Sequence, residues 1–304
     1  MERLEFRAMG CQMLAVIDGE GEDAASVLRE VPGWFEGWEQ CLSRFRANSE
    51  LSQLNADAGF WIPLSETLWS VLTVALDAAR QSEGVVTPTL LDAVKATGYT
   101  QDFAAGPGLA AVSAPAPSAT DWQQIELDPR HHAVRLPEGV HIDLGGVAKG
   151  WAADEAARRL ASYAPALIDA GGDIAVSGPM ADGQPWPVGI ENPLDADAPL
   201  GLLLLSRGGV ATSGRDYRRW KVGDTWRHHI IDPRSGQPAE TPALTATAVA
   251  PSAREAEVAA KLLFILGNSG IAWVDARPGY AGLLLCEDGA QLTSQGWDSY
   301  LYQP

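Results

Sequence analysis

Apolar and polar positions change over in short runs along most of this chain, and in four places the runs lengthen into helical spacing. Near the start, Leu4 to Phe6 and Cys11 to Ile17 read as two short strands separated by Ala-Met-Gly. Past an acidic turn, Trp34, Trp38, Cys41, Leu42 and Phe45 fall on one helical face. A second helix opens at Ser65, a side chain suited to an N-cap. Leu68, Val71, Leu72, Ala75 and Ala79 line its buried side, and Gly84 stops it. Residues 85–102 are less regular and offer a ligand-facing loop, whereas 104–120 are rich in Ala, Pro and Gly and read as a flexible insertion. Strand-like pieces follow at Ile125 to Leu127 and Ala133 to Leu136.

The second half is a series of short strands with glycine turns, in which the segment ALTATAVAP alternates as a half-buried strand should. Between Ala253 and Gly267 the residues Ala256, Ala259, Ala260, Leu263 and Phe264 repeat as one helical face. Two more strands close the chain. Strands in runs, interrupted by a few helices, predict an α+β fold with mainly antiparallel sheets, taken as a single domain over 1–304.

Composition narrows the function classes. The chain is 46% hydrophobic and 20% charged, the balance of a folded soluble protein. A formal charge of -17 argues against nucleic acid, because a phosphate backbone would be repelled. Cys11, Cys41 and Cys286 are scattered, which argues against a disulfide framework or a structural zinc site; each is expected to be a small buried residue. MERLEFRAMG lacks an apolar leader core, and the run Leu200 to Leu205 is far too short to span a bilayer, so no membrane contact and a cytoplasmic location are expected.

The segment Ile142 to Trp151, IDLGGVAKGW, concentrates chemistry. Its glycines would let a backbone approach a ligand, Asp143 can accept from a ligand donor, and Lys149 can meet a phosphate. By itself the segment is better read plainly, as a strand, a tight turn and an amphipathic helix, since short glycine motifs arise by chance.

Its companions change that balance. AMG (8–10), SRFRANSELSQLN (43–55), SEGVVTPT (82–89), IDLGGVAKGWAAD, IDAGGDIAVSG (168–178), VATSG (210–214), HHIIDPRSGQP and AREAEVAAKLLFILG (253–267) occur in this order. In that combination the chain resembles the ApbE family, the FAD:protein FMN transferases, over nearly its whole length. The resemblance implies two T-fold-like halves with FAD in a cleft between them. It also implies cleavage of the FAD diphosphate, with FMN passing to a Thr or Ser hydroxyl of a flavin-acceptor protein and AMP released.

By position, the resemblance implies FAD contacts at Met9, Asn55, Gly98, Tyr99, Asp143, Lys149 and Ile231, with Asp173 supporting the site. It makes His229 the general base, a role suited to imidazole near neutral pH, and leaves His228 the poorer candidate. Core packing for Met9, a turn cap for Asn55 and an ordinary half-buried aromatic for Tyr99 stand as the plain alternatives. His131, His132 and His141 read as solvated.

The same resemblance implies Mg²⁺, held through side-chain oxygens at positions 257 and 261, with a shifted site using Glu257 and the Gly146 carbonyl as the less favoured alternative. Here it departs from the family pattern. Glu257 stands for a shorter Asp, and Lys261 stands for a Thr; an ammonium has donors only and cannot ligate a cation. Thr87 for a common Asp, and Cys11 for a common Thr, are further departures. Glu257 and Lys261 therefore put Mg²⁺ in doubt. They raise the alternative of a non-catalytic or hydrolytic FAD-binding relative in which Lys261 replaces the metal site. Acceptor identity and oligomeric state stay open.

Overall fold

The computed structural model describes residues 1–101, 121–222 and 224–303, so the insertion expected at 104–120 lies outside the described residues. In chain order the regular elements begin with β1 (Glu2–Ala8), β2 (Cys11–Ile17), α1 (Glu22–Leu42), α2 (Glu50–Ala56), β3 (Trp61–Pro63), α3 (Glu66–Gln81) and α4 (Leu91–Ala96). There follow β4 (Glu126–Asp128), β5 (Ala133–Arg135), α5 (Ala148–Leu160), β6 (Ala166–Ala170), β7 (Asp173–Val176), β8 (Trp186–Ile190), β9 (Gly201–Leu205) and β10 (Gly208–Gly214). The last are β11 (Arg219–Val222), β12 (Thr225–His228), β13 (Ile231–Asp232), β14 (Gln237–Pro238), β15 (Ala243–Ala250), α6 (Ala253–Leu266), α7 (Asn268–Asp275), β16 (Ala281–Cys286) and β17 (Gln291–Thr293). No helix among the described residues is long and apolar enough to cross a membrane.

These elements gather into two compact units. The first comprises Met1–Phe35, Lys149–Asp216 and Thr241–Pro304; the second comprises Glu36–Ala148 and Tyr217–Glu240. The first is built on an eight-stranded sheet of order β1-β2-β6-β7-β10-β15-β16-β17. Every neighbouring pair in it is antiparallel, as the short alternating runs predict. The β1–β2 hairpin closes on Met9 and Gly10, both with positive φ (49° and 70°). Turns of this kind favour Asn or Gly at the place Met9 takes.

One expectation fails at β15. Its alternation predicts a half-buried strand, yet all eight residues are buried. The strand lies between β10 and β16, with both faces covered. Val249, with Val210 and Leu283, packs against the β8–β9 hairpin through Trp186, Val188 and Leu203. The other face carries small residues and receives α6: a Cβ on Gly209 would sit 2.5 Å from the Ala253 Cα, and one on Gly282 would sit 2.6 Å from Leu263. Thr245 and Thr247 pass for a wet face in sequence, but both are buried, and the Thr247 hydroxyl bonds that of Thr212 at 2.9 Å.

Helix α6 forms where its spacing predicts. Ser252 caps it by accepting the Glu255 N–H at 3.3 Å, and Gly267 ends it with φ 58°. Asp154 of α5 adds a second cap, accepting the Ala253 and Arg254 N–H groups at 2.8 and 3.1 Å. Helix α5 itself starts at Ala148, so Lys149 and Gly150 belong to its first turn, and residues 141–147 just ahead of it are turn and coil, not the strand expected there.

The second unit holds the last third of α1, from Glu36, then α2, α3 and α4, the three-stranded sheet β3-β5-β4 and the hairpins β11–β12 and β13–β14. Ser65 caps α3 through the Leu68 N–H at 3.2 Å, and Leu68, Val71, Leu72, Ala75 and Ala79 are buried, as expected. In α1 the buried residues are Ala24, Val27, Leu28, Val31, Phe35, Trp38 and Leu42, so Trp38 and Leu42 of the expected face are buried while Trp34 and Cys41 are half-buried and Phe45 is exposed. Phe45 lies past the end of the helix, and Trp34 carries the Arg159 guanidinium 5.2 Å from its ring. Of the cysteines only Cys286 is buried. Cys41 is half-buried, its thiol pushed up to about 12 by burial and donating to Glu50 at 3.0 Å.

Candidate functional site

The polar motif residues sort into two groups, one within each unit. In the first unit, the opening turn of α5 meets the first two turns of α6. A Cβ on Gly150 would lie 2.7 Å from the Ala253 carbonyl oxygen and the Arg254 Cα, so only glycine permits this approach. That closeness lets the Gly150 N–H donate to Glu257 Oε2 at 2.9 Å. Glu257 Oε1 lies 3.0 Å from Lys261 Nζ and 3.7 Å from Lys149 Nζ. Lys149 also pairs with Asp173, the first residue of β7.

The four side chains form a layered cluster. The Glu257 and Asp173 side chains are 1% and 2% exposed, whereas Lys149 and Lys261 keep 17% and 18%. The carboxylates are the more deeply buried pair, and the lysine side chains hold what exposure the cluster has. Burial alone would raise the Glu257 pKa, but Lys261, then Lys149 and the Gly150 N–H, outweigh it and hold the carboxyl below its usual range. Burial likewise opposes the Lys149 charge, and Asp173, then Glu257 and Cys11, reverse this and raise its pKa. At Asp173 burial and the neighbouring Glu257 win, pushing the carboxyl up despite both lysines.

In the second unit, the Asn55 amide clamps the chain just ahead of Asp143. It donates to the Ile142 carbonyl at 2.8 Å and accepts the Ile142 N–H at 2.8 Å. Both ends of the amide are thereby committed to the backbone. Asp143 accepts the Gly145 N–H at 3.1 Å and lies 3.6 Å from the Arg44 Nε. Arg44 is only 5% exposed; its guanidinium stacks 4.1 Å from the Phe45 ring and 4.6 Å from the Tyr99 ring, and donates to the Tyr99 carbonyl at 3.0 Å.

Tyr99 is the hub of this aromatic group. Its ring centroid is 5.4 Å from Trp220 and 6.5 Å, edge-on, from His229. Gly98 precedes it with φ 93°, ending α4, and Trp220 donates to the Thr97 carbonyl at 2.8 Å. Ile231 is buried beside Ala93, Val94 and Tyr99, so any ligand contact it makes runs through its backbone. His228 is buried with Nε2 3.2 Å from the Ala239 carbonyl, while His229 is half-buried. His131 and His141 pair with Asp128 and Asp92 at 2.7 and 2.8 Å, and His132 stacks on Trp69.

The structure thus joins Lys149, Asp173, Glu257 and Lys261, and separately Asn55, Asp143, Tyr99 and Arg44. Arg44 and Trp220 escaped the sequence reading. One of the two arginines in SRFRAN and a tryptophan in a polar hairpin carry no periodic signal, and only their burial marks them.

The family pattern also implies Mg²⁺, and the residues at Glu257 do not fit it. A divalent ion wants several oxygen ligands in near-octahedral array. Here one Glu257 oxygen takes a backbone N–H and the other faces two ammonium groups. With an effective dielectric of about 20, a carboxylate about 4 Å away would attract a dication by about 8 kcal/mol, and an ammonium would repel it equally. Two of each leave no net attraction. Among the described residues no group of three or more His, Cys, Asp or Glu side chains gathers to hold a metal.

Comparison with known proteins agrees with the motifs. A model of the ApbE family matches residues 9–284. A Salmonella typhimurium protein named FAD:protein FMN transferase is 28% identical, across 94% of this chain and 84% of its own length. One of the same name from Treponema pallidum is 30% identical with the same coverage. The crystal structure of the ApbE protein of Thermotoga maritima matches with a TM-score of 0.87 at 24% identity, covering 99% of each chain, a likeness that speaks to fold. On motif, sequence and fold together, the chain belongs to the ApbE family.

Proposed function

We propose that this chain is an FAD:protein FMN transferase, moving FMN from FAD to a Thr or Ser hydroxyl of an acceptor protein with release of AMP. The observation that carries the reading is the ion cluster of Lys149, Asp173, Glu257 and Lys261. Buried charges are costly to keep and seldom favoured for stability alone, and these coincide with the family's motifs.

In this reading the acceptor oxygen attacks the phosphorus of the FMN moiety, and the bond from that phosphorus to the bridging oxygen breaks. AMP leaves with the bridging oxygen, and the hydroxyl proton passes to the imidazole of His229. Lys149 and Lys261 offset the charge that builds on the departing phosphate. Asp173 holds Lys149 in place. Arg44 orients Asp143 toward FAD, with Tyr99, Gly98, Met9 and the Ile231 backbone as further contacts and Asn55 acting through Ile142. Gly146 and Glu257 are given no metal role. A cytoplasmic location belongs to the same reading, and cell fractionation checks it.

The test is incubation of the purified protein with FAD and candidate acceptors, followed by intact mass and AMP measurement. The acceptor is expected to gain the mass of FMN, and His229→Ala to slow transfer about 100-fold or more while FAD binding is kept. AMP release with no adduct on any acceptor would make the chain a hydrolase instead. FAD left unchanged would remove the reading.

A further inference from the structure

We infer that the Glu257 site runs on a fixed cation, the Lys261 ammonium, and that it takes no divalent metal. The transfer reaction is accordingly independent of divalent ions; that catalytic half of the inference rests on the transferase reading above, whereas the metal-exclusion half stands on the geometry alone.

The arrangement of donors is the argument. Glu257 is locked from two sides: its Oε2 is held by the Gly150 N–H, and its Oε1 lies within ion-pair reach of both lysines. Lys261 sits one helical turn from Glu257 on α6, so the pair is supported by the helix and needs no long-range closure. The two carboxylates match the two ammonium groups in number, which leaves the cluster neutral before any ligand arrives. The two lysine side chains keep 17% and 18% exposure over carboxylates at 2% and 1%, so the accessible side of the cluster is suited to an anion, not to a cation. A diphosphate would find two ammonium groups already in place, each with three N–H donors, of which those not committed to Asp173 or Glu257 can turn to its oxygens.

Mn²⁺, visible by paramagnetic resonance, is the probe. Titrated into the native protein, with and without FAD, it is expected to stay free up to millimolar concentration. Lys261→Thr, which replaces the ammonium with a hydroxyl oxygen, is expected to take up Mn²⁺ at least 10-fold more tightly. FMN transfer or AMP release by the native protein is expected to change less than twofold when EDTA replaces Mg²⁺. Micromolar Mn²⁺ uptake by the native protein would overturn the inference, as would loss of turnover in EDTA. So would a folded Lys261→Thr protein that still leaves Mn²⁺ free. If native protein excludes Mn²⁺ yet leaves FAD unchanged in every buffer, the transferase reading fails while the exclusion of metal holds. The native titration decides even if the variant does not fold.

Discussion

The backbone N–H of Gly150 donates to Glu257 Oε2 at 2.9 Å, joining two residues 107 positions apart. This bond ties the first turn of α5 to the buried face of α6, and the ion cluster is assembled around it.

Gly150→Ala tests that approach. The added Cβ would meet backbone atoms of Ala253 and Arg254, which cannot swing aside as a side-chain end would. Overpacking of this kind costs about 1–3 kcal/mol. Urea unfolding is expected to show a lower midpoint at unchanged slope; an unchanged midpoint would mean that the helices separate freely.

Glu257 and Lys261 are expected to be coupled. Glu257→Gln takes the counter-charge from Lys261 and leaves Lys149 with Asp173 alone, and is expected to cost up to about 3 kcal/mol. Combined with Lys261→Met, the loss is expected to shrink by at least about 1 kcal/mol relative to the sum of the single changes. Additive losses in the double-mutant cycle would show that the pair is only a neighbourly contact.

Asp154 sets a pH dependence. Burial, outweighing the N–H donors of Ala253 and Arg254, pushes its carboxyl from 3.8 up to about 6. Below about pH 4 the group is neutral in folded and unfolded chains alike and contributes nothing. Between about pH 4 and 6 the unfolded chain ionises first, so the folded state loses up to about 3 kcal/mol from this group. The stability of the native protein relative to Asp154→Asn is therefore expected to fall as pH rises through that window. A flat or rising difference between the two proteins, followed by thermal unfolding from pH 4 to 7, would contradict the burial cost.

Asn55→Leu removes both bonds to Ile142 and strands two backbone groups. At about 1–3 kcal/mol for each buried group left unpaired, the expected loss is about 2–6 kcal/mol. Amide exchange at Ile142 is expected to become fast even where the rest of the second unit stays protected. Slow exchange at that amide would mean that another acceptor already holds it.

Much of the scaffold is legible in the order of residues, because it rests on local rules. The spacing of Ala256, Ala259, Ala260, Leu263 and Phe264 predicts α6, and its burial follows. Ser65 and Gly84 bracket α3 by capping and by a left-handed backbone that only glycine adopts readily. Shorter helices are less legible: α2 and α4 occupy stretches read as turn or loop, since six or seven residues hold too little periodicity.

The motif residues were also nameable from sequence, but what each does was not. The burial of β15 depends on strand order, which places it between β10 and β16 and beneath α6. Arg44 became visible only when Asp143 and Tyr99, far along the chain, came to lie against it. Sequence by itself determined the family, the antiparallel α+β class and the unusual lysine at 261, because these follow from local patterns and residue identity. Tertiary structure alone decided that the lysine shares a buried carboxylate with Lys149 and the Gly150 N–H. Charges interact through space, and the distances between them are set by how helices pack, not by how residues are spaced along the chain.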